Sequence, residues 1–147
     1  MSSNPDAAPS RLLSKPTWLI SQASVHAHRL LTEALAGADA RGYHYRLLAA
    51  LDEFGPASQA TLGRRTEMDR SDVVAALNEL AARGLVERAA DPGDRRRNVI
   101  TVTPAGRARL EELDGLLAGV QDQLLMPLSA RERRVLTDLL TRVLEHL

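Results

Sequence analysis

Apolar residues in the first third of the chain recur at helical spacing. Leu19 and Ile20, Ala23, Ala27, Leu30 and Leu31, then Ala34 and Leu35 predict a first helix, with Thr17 as N-cap and Gly37 as stop. Tyr45, Leu48, Leu51 and Phe54 place a second helix over 43–54, ended by Gly55-Pro56. Ser58 is positioned to cap a short helix over 59–65. After a break at 66–69, Asp69 reads as the N-cap of a fourth helix over 70–83. Its apolar face is Val73, Val74, Leu77, Leu80 and Ala81, with Ala75, Ala76 and Asn78 facing away and Gly84 closing it. The period then drops towards two. Residues 85–90 and 98–103 read as strands of a hairpin around Asp91-Pro92-Gly93, with Arg95, Arg96 and Arg97 at its tip. Thr103-Pro104 opens a long helix to about Leu125, seamed by Leu110, Leu113, Leu117, Val120 and Leu124. Pro127 breaks it, and the capping box Ser129–Glu132 starts a last helix whose apolar pairs run from Val135 to Leu147.

This order predicts a mainly α fold with a small β-hairpin wing: a winged helix-turn-helix with a helical dimerisation domain. Residues 43–103 form the winged domain, while 17–42 and 104–147 form the dimerisation region. Residues 1–16, rich in Ser, Pro and Ala, read as a flexible N-terminal arm. The seams on the first, fifth and sixth helices are too long and apolar for so small a core, which predicts a helical homodimer.

Composition narrows the function. The chain has 147 residues, the size of one ordinary domain, with 44% hydrophobic and 26% charged residues, so wholesale disorder is excluded. It has no Cys, which excludes disulfides and thiolate metal sites. No apolar run approaches the roughly 20 residues needed to span a bilayer. The N-terminus lacks a signal layout, so the cytoplasm is expected and no membrane partner is. The 19 basic and 19 acidic residues cancel, which argues against a protein that coats nucleic acid by bulk charge.

Local arrangement still points to double-stranded DNA. The second helix of a helix-turn-helix enters the major groove by its N-terminal end, which here carries Arg70, Ser71 and Asp72. A short side chain at Ala75 permits close approach, Arg70 can fork onto guanine, and Asn78 can pair with adenine. Ser58, Gln59, Arg64 and Arg65 are placed to meet phosphates. Three adjacent arginines, Arg95 to Arg97, repel one another in a purely structural turn but suit a narrow, negative minor groove. Asp94 can orient one of them.

Residues 42–107 resemble the MarR family of bacterial transcription regulators. The stretches that carry this are GPASQATLGRR, DRSDVVAALNELAARGLVER and DPGDRRRNVITVTPAGR. Leu80, Gly84, Leu85, Val86 and Arg88 match the run that ends the family's recognition helix. Asp94 and Arg96 match its wing, and Val102, Thr103 and Gly106 its exit, with Val in place of Leu. The resemblance implies a homodimer joined by its terminal helices and a repressor or activator that often responds to a small ligand; a repressor released from a pseudo-palindromic operator is the expectation. The chain departs from the family where a Thr-Pro pair commonly opens the second helix: here Arg41-Gly42 precede Tyr43-His44-Tyr45. The family's ligand cleft lies near this segment and the first helix. Trp18, His26, His28, Tyr43, His44, Tyr45 and Arg46 are therefore the expected contacts for an aromatic or phenolic effector.

No metal or other cofactor is expected. His26 and His28 are two residues apart and point to different helix faces. No nucleophile elbow, phosphate loop or HExxH run suggests an enzyme. The alternative is a winged-helix module that contacts proteins without binding DNA.

Overall fold

The computed structural model describes residues 6–147. Its elements in chain order are α1 (Ser10–Leu13), α2 (Pro16–Gly37), α3 (Gly42–Phe54), β1 (Ala57–Ser58), α4 (Gln59–Thr66), α5 (Arg70–Ala82), β2 (Val86–Asp91), β3 (Asp94–Val102), α6 (Pro104–Leu124) and α7 (Ala130–His146). Of the stretch expected as an arm, residues 1–5 lie outside the described residues. Within the rest, α1 is a single turn with no side-chain cap and no buried residue.

The chain divides into two units. One, residues 32–119, holds the winged helix-turn-helix; the other comprises residues 1–31 and 120–147. The first owns a complete core. Leu47, Leu48, Leu51, Leu62, Leu77, Leu80, Ile100 and Leu113 are fully buried there, with Val73, Val86 and Val102 around them. The helical spacing predicted for α3 and α5 thus places the expected leucines inside. Phe54 is the exception: it is exposed at the end of α3, and the Arg65 guanidinium lies 4.8 Å above its ring.

The sheet has three strands in the order β1-β3-β2, all antiparallel. The sequence reading has no β1, because two residues carry no periodicity. Ala57 pairs with Ile100 and Ser58 with Val99, and these bonds anchor the entry to α4 against the wing. At the other end, Gly106 fixes where α6 can begin. A Cβ built there would come within 2.1 Å of the Leu85 carbonyl oxygen and 2.7 Å of a Val102 methyl, so only glycine fits. Thr103 completes the junction. Its hydroxyl accepts from the Gly106 N–H (3.0 Å) and donates to the Gly84 carbonyl (2.7 Å). This is the N-cap expected ahead of Pro104.

The second unit contrasts with the first. In it Val120 is buried, but α7 buries no residue at all. The capping box predicted at Ser129 is present: Ser129 Oγ accepts from the Glu132 N–H and the Glu132 carboxylate accepts from the Ser129 N–H. Arg133 ties the turn before α7 to the end of α6 through Asp122 (2.6 Å) and the carbonyls of Leu125 and Leu128. Val135, Leu139, Leu140, Val143 and Leu144 remain exposed. No helix among the described residues is long and apolar enough to cross a membrane.

Candidate nucleic-acid interface

The helix-turn-helix is built from local capping. Ser58 Oγ accepts from the Thr61 N–H at 3.2 Å, so the predicted cap of α4 is real. The α4 helix ends with Glu67 in the left-handed region (φ 54°), a conformation that turns the chain sharply between the two helices. Met68 is buried in the turn and its N–H donates to the Gly63 carbonyl. Asp69 then occupies the N-cap position of α5, as expected, but its side chain makes no capping hydrogen bond. Its carbonyl accepts the first helical bond, from Val73. The carboxylate stays in the solvent because Asp69 itself is exposed.

On α5, Ser71, Ala75 and Asn78 fall within a narrow stripe and all three are exposed. Arg70 is exposed beside them at the first turn, and Asp72 is half-buried. Ala76 does not belong to this face. It is buried in the core with Leu77 and Leu80, because its position on the helix lies about 100° from Ala75. The exposed stripe is therefore narrower than the sequence reading had it. A cleft of about 490 Å³ opens between α4 and α5, lined by Gln59, Ala60, Gly63, Arg64, Met68, Arg70 and Val73. Arg64 donates to Thr61 Oγ1 (3.1 Å), and Arg65 is stacked on Phe54, so both cations of α4 are held rather than swinging freely.

The wing corrects the sequence reading more sharply. Arg95, Arg96 and Arg97 do not sit at the hairpin tip. The turn is Pro92-Gly93 alone, with Asp91 opposite Asp94 and the Gly93 N–H bonded to the Asp91 carboxylate. The next pair is Ala90 with Asn98. The three arginines thus lie on β3 as an unpaired bulge between two ladder pairs. A short turn sets the end of the hairpin, and the longer strand must expel its surplus residues sideways. All three are exposed, Arg96 with 92% of its side chain free. Asp94 organises this bulge as expected: it accepts from the Arg96 N–H at 3.0 Å and lies 3.5 Å from its Nε.

The expected effector residues are divided between environments. In the second unit Trp18 is half-buried and His26 and His28 are exposed on α2. In the winged unit, Tyr43 lies beneath the Arg46 guanidinium, 5.8 Å from its ring centre. The Tyr45 hydroxyl donates to Asp114 at 2.5 Å, and that bond pushes its pKa up to about 12. His44 is buried, and both of its ring nitrogens are engaged. Nδ1 accepts from the Arg41 N–H at 3.2 Å, while Nε2 lies 2.5 Å from Glu79 Oε2. Both ring nitrogens are thus occupied within the chain. The reason is the capping role of the third residue of α3, with His standing where a capping box takes Glu or Gln.

Glu79 and Arg83 are absent from the sequence reading, and Arg41 enters it only as a departure from the family pattern. Arg41 Nη1 donates to Glu79 Oε1 at 2.9 Å, and Arg83 reaches Asp39. In the sequence Glu79 is one acid among many on a helix, and nothing in its spacing marks its partner 35 residues earlier. No group of three or more His, Cys, Asp or Glu side chains that could hold a metal occurs among the described residues.

The profile of the MarR family matches residues 37–97. The HTH-type transcriptional repressor NicR of Pseudomonas putida is 33% identical over 98 residues, 67% of this chain; the match spans 62% of NicR's own length. The crystal structure of a probable transcriptional regulator from Pseudomonas aeruginosa is 34% identical, with a TM-score of 0.78, covering 90% of this chain and 99% of that one. The PcaV transcriptional regulator of Streptomyces coelicolor, solved in complex with its natural ligand, is 28% identical. It superposes with a TM-score of 0.76 over 95% of this chain and 98% of its own.

Proposed function

This chain belongs to the MarR family, and we propose that it is a cytoplasmic, sequence-specific DNA-binding repressor. It acts as a homodimer on a pseudo-palindromic operator and is released by a small aromatic or phenolic effector. Residues 43–103 read the DNA, and 17–42 with 104–147 join the two copies. The observation that carries this reading is the arginine bulge of β3, carried by the same unit as the exposed Ser71–Ala75–Asn78 stripe of α5. A bulge re-aims side chains away from the ladder. Here it presents a cation cluster suited to a minor groove while α5 offers short side chains to the neighbouring major groove.

The roles divide by chemistry. Arg70, Ser71, Ala75 and Asn78 meet base edges, with Asp72 supporting the first turn. Ser58, Gln59, Arg64 and Arg65 fix register on phosphates. Arg95, Arg96 and Arg97 enter the minor groove, Arg96 pre-oriented by Asp94. Exposed Val135, Leu139 and Val143 on α7 supply the apolar area that a second copy covers. For the effector, Tyr43 with Arg46 offers an aromatic face beside a cation, a pairing that suits an aromatic carboxylate.

The test is fluorescence anisotropy with a labelled duplex of the intergenic DNA beside the protein's own gene, and with a shuffled duplex, across salt. The expected result is a preference for the native duplex that survives at physiological salt. Equal affinity for both duplexes overturns sequence-specific reading. No binding at low salt favours a winged-helix protein-contact module instead.

A further inference from the structure

The buried His44 joins the start of α3 to the DNA-reading helix α5, and nothing in the DNA contacts requires it. Its tautomer is set by its surroundings. Nδ1 accepts from the Arg41 N–H, so the ring proton must sit on Nε2, where it donates to Glu79. Arg41 holds the other oxygen of the same carboxylate. Glu79 is thus gripped from two sides by the segment that opens α3. It directly follows Asn78, so the grip fixes how α5 is rotated about its own axis, and with it the direction of the Ser71–Ala75–Asn78 stripe.

From this geometry we infer that His44 is a positioning residue for DNA reading: as a neutral ring it locks α5 through Glu79, and its protonation releases that lock. The inference rests on the DNA-binding function proposed above. Protonation requires a proton on Nδ1, which would point at the Arg41 N–H and break the cap of α3. The resulting cation would be buried 2.5 Å from Glu79 but also beside Arg41 and Arg83. Those are the charged groups around the ring: Glu79 from α5, Arg83 just past its C-terminal end, Arg41 from its own segment, with Asp39 drawn off by Arg83. Burial is the largest influence and holds the imidazole below its ordinary pKa, against the pull of Glu79. A lowered histidine pKa favours the folded state above the unfolded value of about 6.5, and this contribution is lost as pH falls through the folded value. Acid therefore weakens the lock.

His44→Gln separates positioning from packing. Gln keeps an acceptor for the cap and a donor for Glu79, but does not titrate. Anisotropy with the intergenic duplex, from pH 7.5 to 5.0 at constant ionic strength, should show wild-type affinity falling about tenfold more than that of His44→Gln, an ordinary coupling between two sites. His44→Ala should bind weakly at every pH. Superposed profiles for wild type and His44→Gln overturn the inference. The same comparison is made on the free protein by thermal unfolding, where wild type should lose Tm on acidification and His44→Gln should lose less. If no duplex binds at any pH, the DNA reading fails, and superposed Tm profiles then overturn the lock separately.

Discussion

The two units of the chain use leucine in opposite ways. In residues 32–119 the leucines at helical spacing close on one another, and nine large side chains reach full burial. In α7 the same spacing leaves Leu139, Leu140, Val143 and Leu144 in solvent, with Leu144 70% exposed. Burying a Leu or Val side chain stabilises by roughly 1.5–3 kcal/mol. The winged unit collects this within one chain, whereas α7 can collect it only from a partner. Periodicity alone shows that a face is apolar, not what covers it. Under the function proposed above, the contrast separates two tasks in one short sequence: a winged unit that reads, and an apolar face that a second copy covers.

The largest test of this contrast strikes α7. Leu139→Asp combined with Val143→Asp should convert a dimer into a monomer in sedimentation velocity. Thermal unfolding should still report a cooperatively folded winged unit; a variant that stays dimeric would refute the assignment of that face. Next comes Gly106→Ala, which should destabilise the winged unit by about 3 kcal/mol in chemical denaturation, because the added Cβ meets backbone that cannot retreat. Retained stability would mean that the junction between β3 and α6 is softer than its contacts suggest. Arg96→Ala should weaken DNA binding about tenfold, the worth of one lost charge-assisted contact. It should leave Tm unchanged, since the side chain is 92% exposed. The smallest effect is Ser58→Ala, which should cost about 1 kcal/mol of stability through the lost α4 cap.

Most helices, three of the caps and the wing are legible because each has a local signature; Thr17, expected to cap α2, instead lies inside it because the helix opens at Pro16. Ser58, Thr103-Pro104 and Ser129–Glu132 all cap as their spacing requires. What escaped the sequence is non-local. The β1 strand is two residues long and exists only because β3 passes beside it. Adjacent charges predict a tip but say nothing about ladder register, and pairing of Asp91 with Asp94 places the arginine run on the strand. Ala76 was placed outside because alanine is neutral in any apolar count, and only packing shows it buried. His44 was noticed as unusual, but its partner Glu79 lies 35 residues away, so its role became visible only in the fold.

The lobe proposed to read DNA is itself almost neutral: residues 59–97 hold eight arginines and seven acids. Its specificity then depends on a few placed cations rather than on bulk attraction. Hydroxyl-radical footprinting of the intergenic duplex tests this most directly. Wild type should protect two half-sites about one helical turn apart, roughly 34–36 Å, each flanked by a protected minor groove. Arg96→Ala should lose the flanking minor-groove protection and keep the central pattern. Uniform protection along the duplex, or minor-groove protection unchanged in Arg96→Ala, would contradict the account.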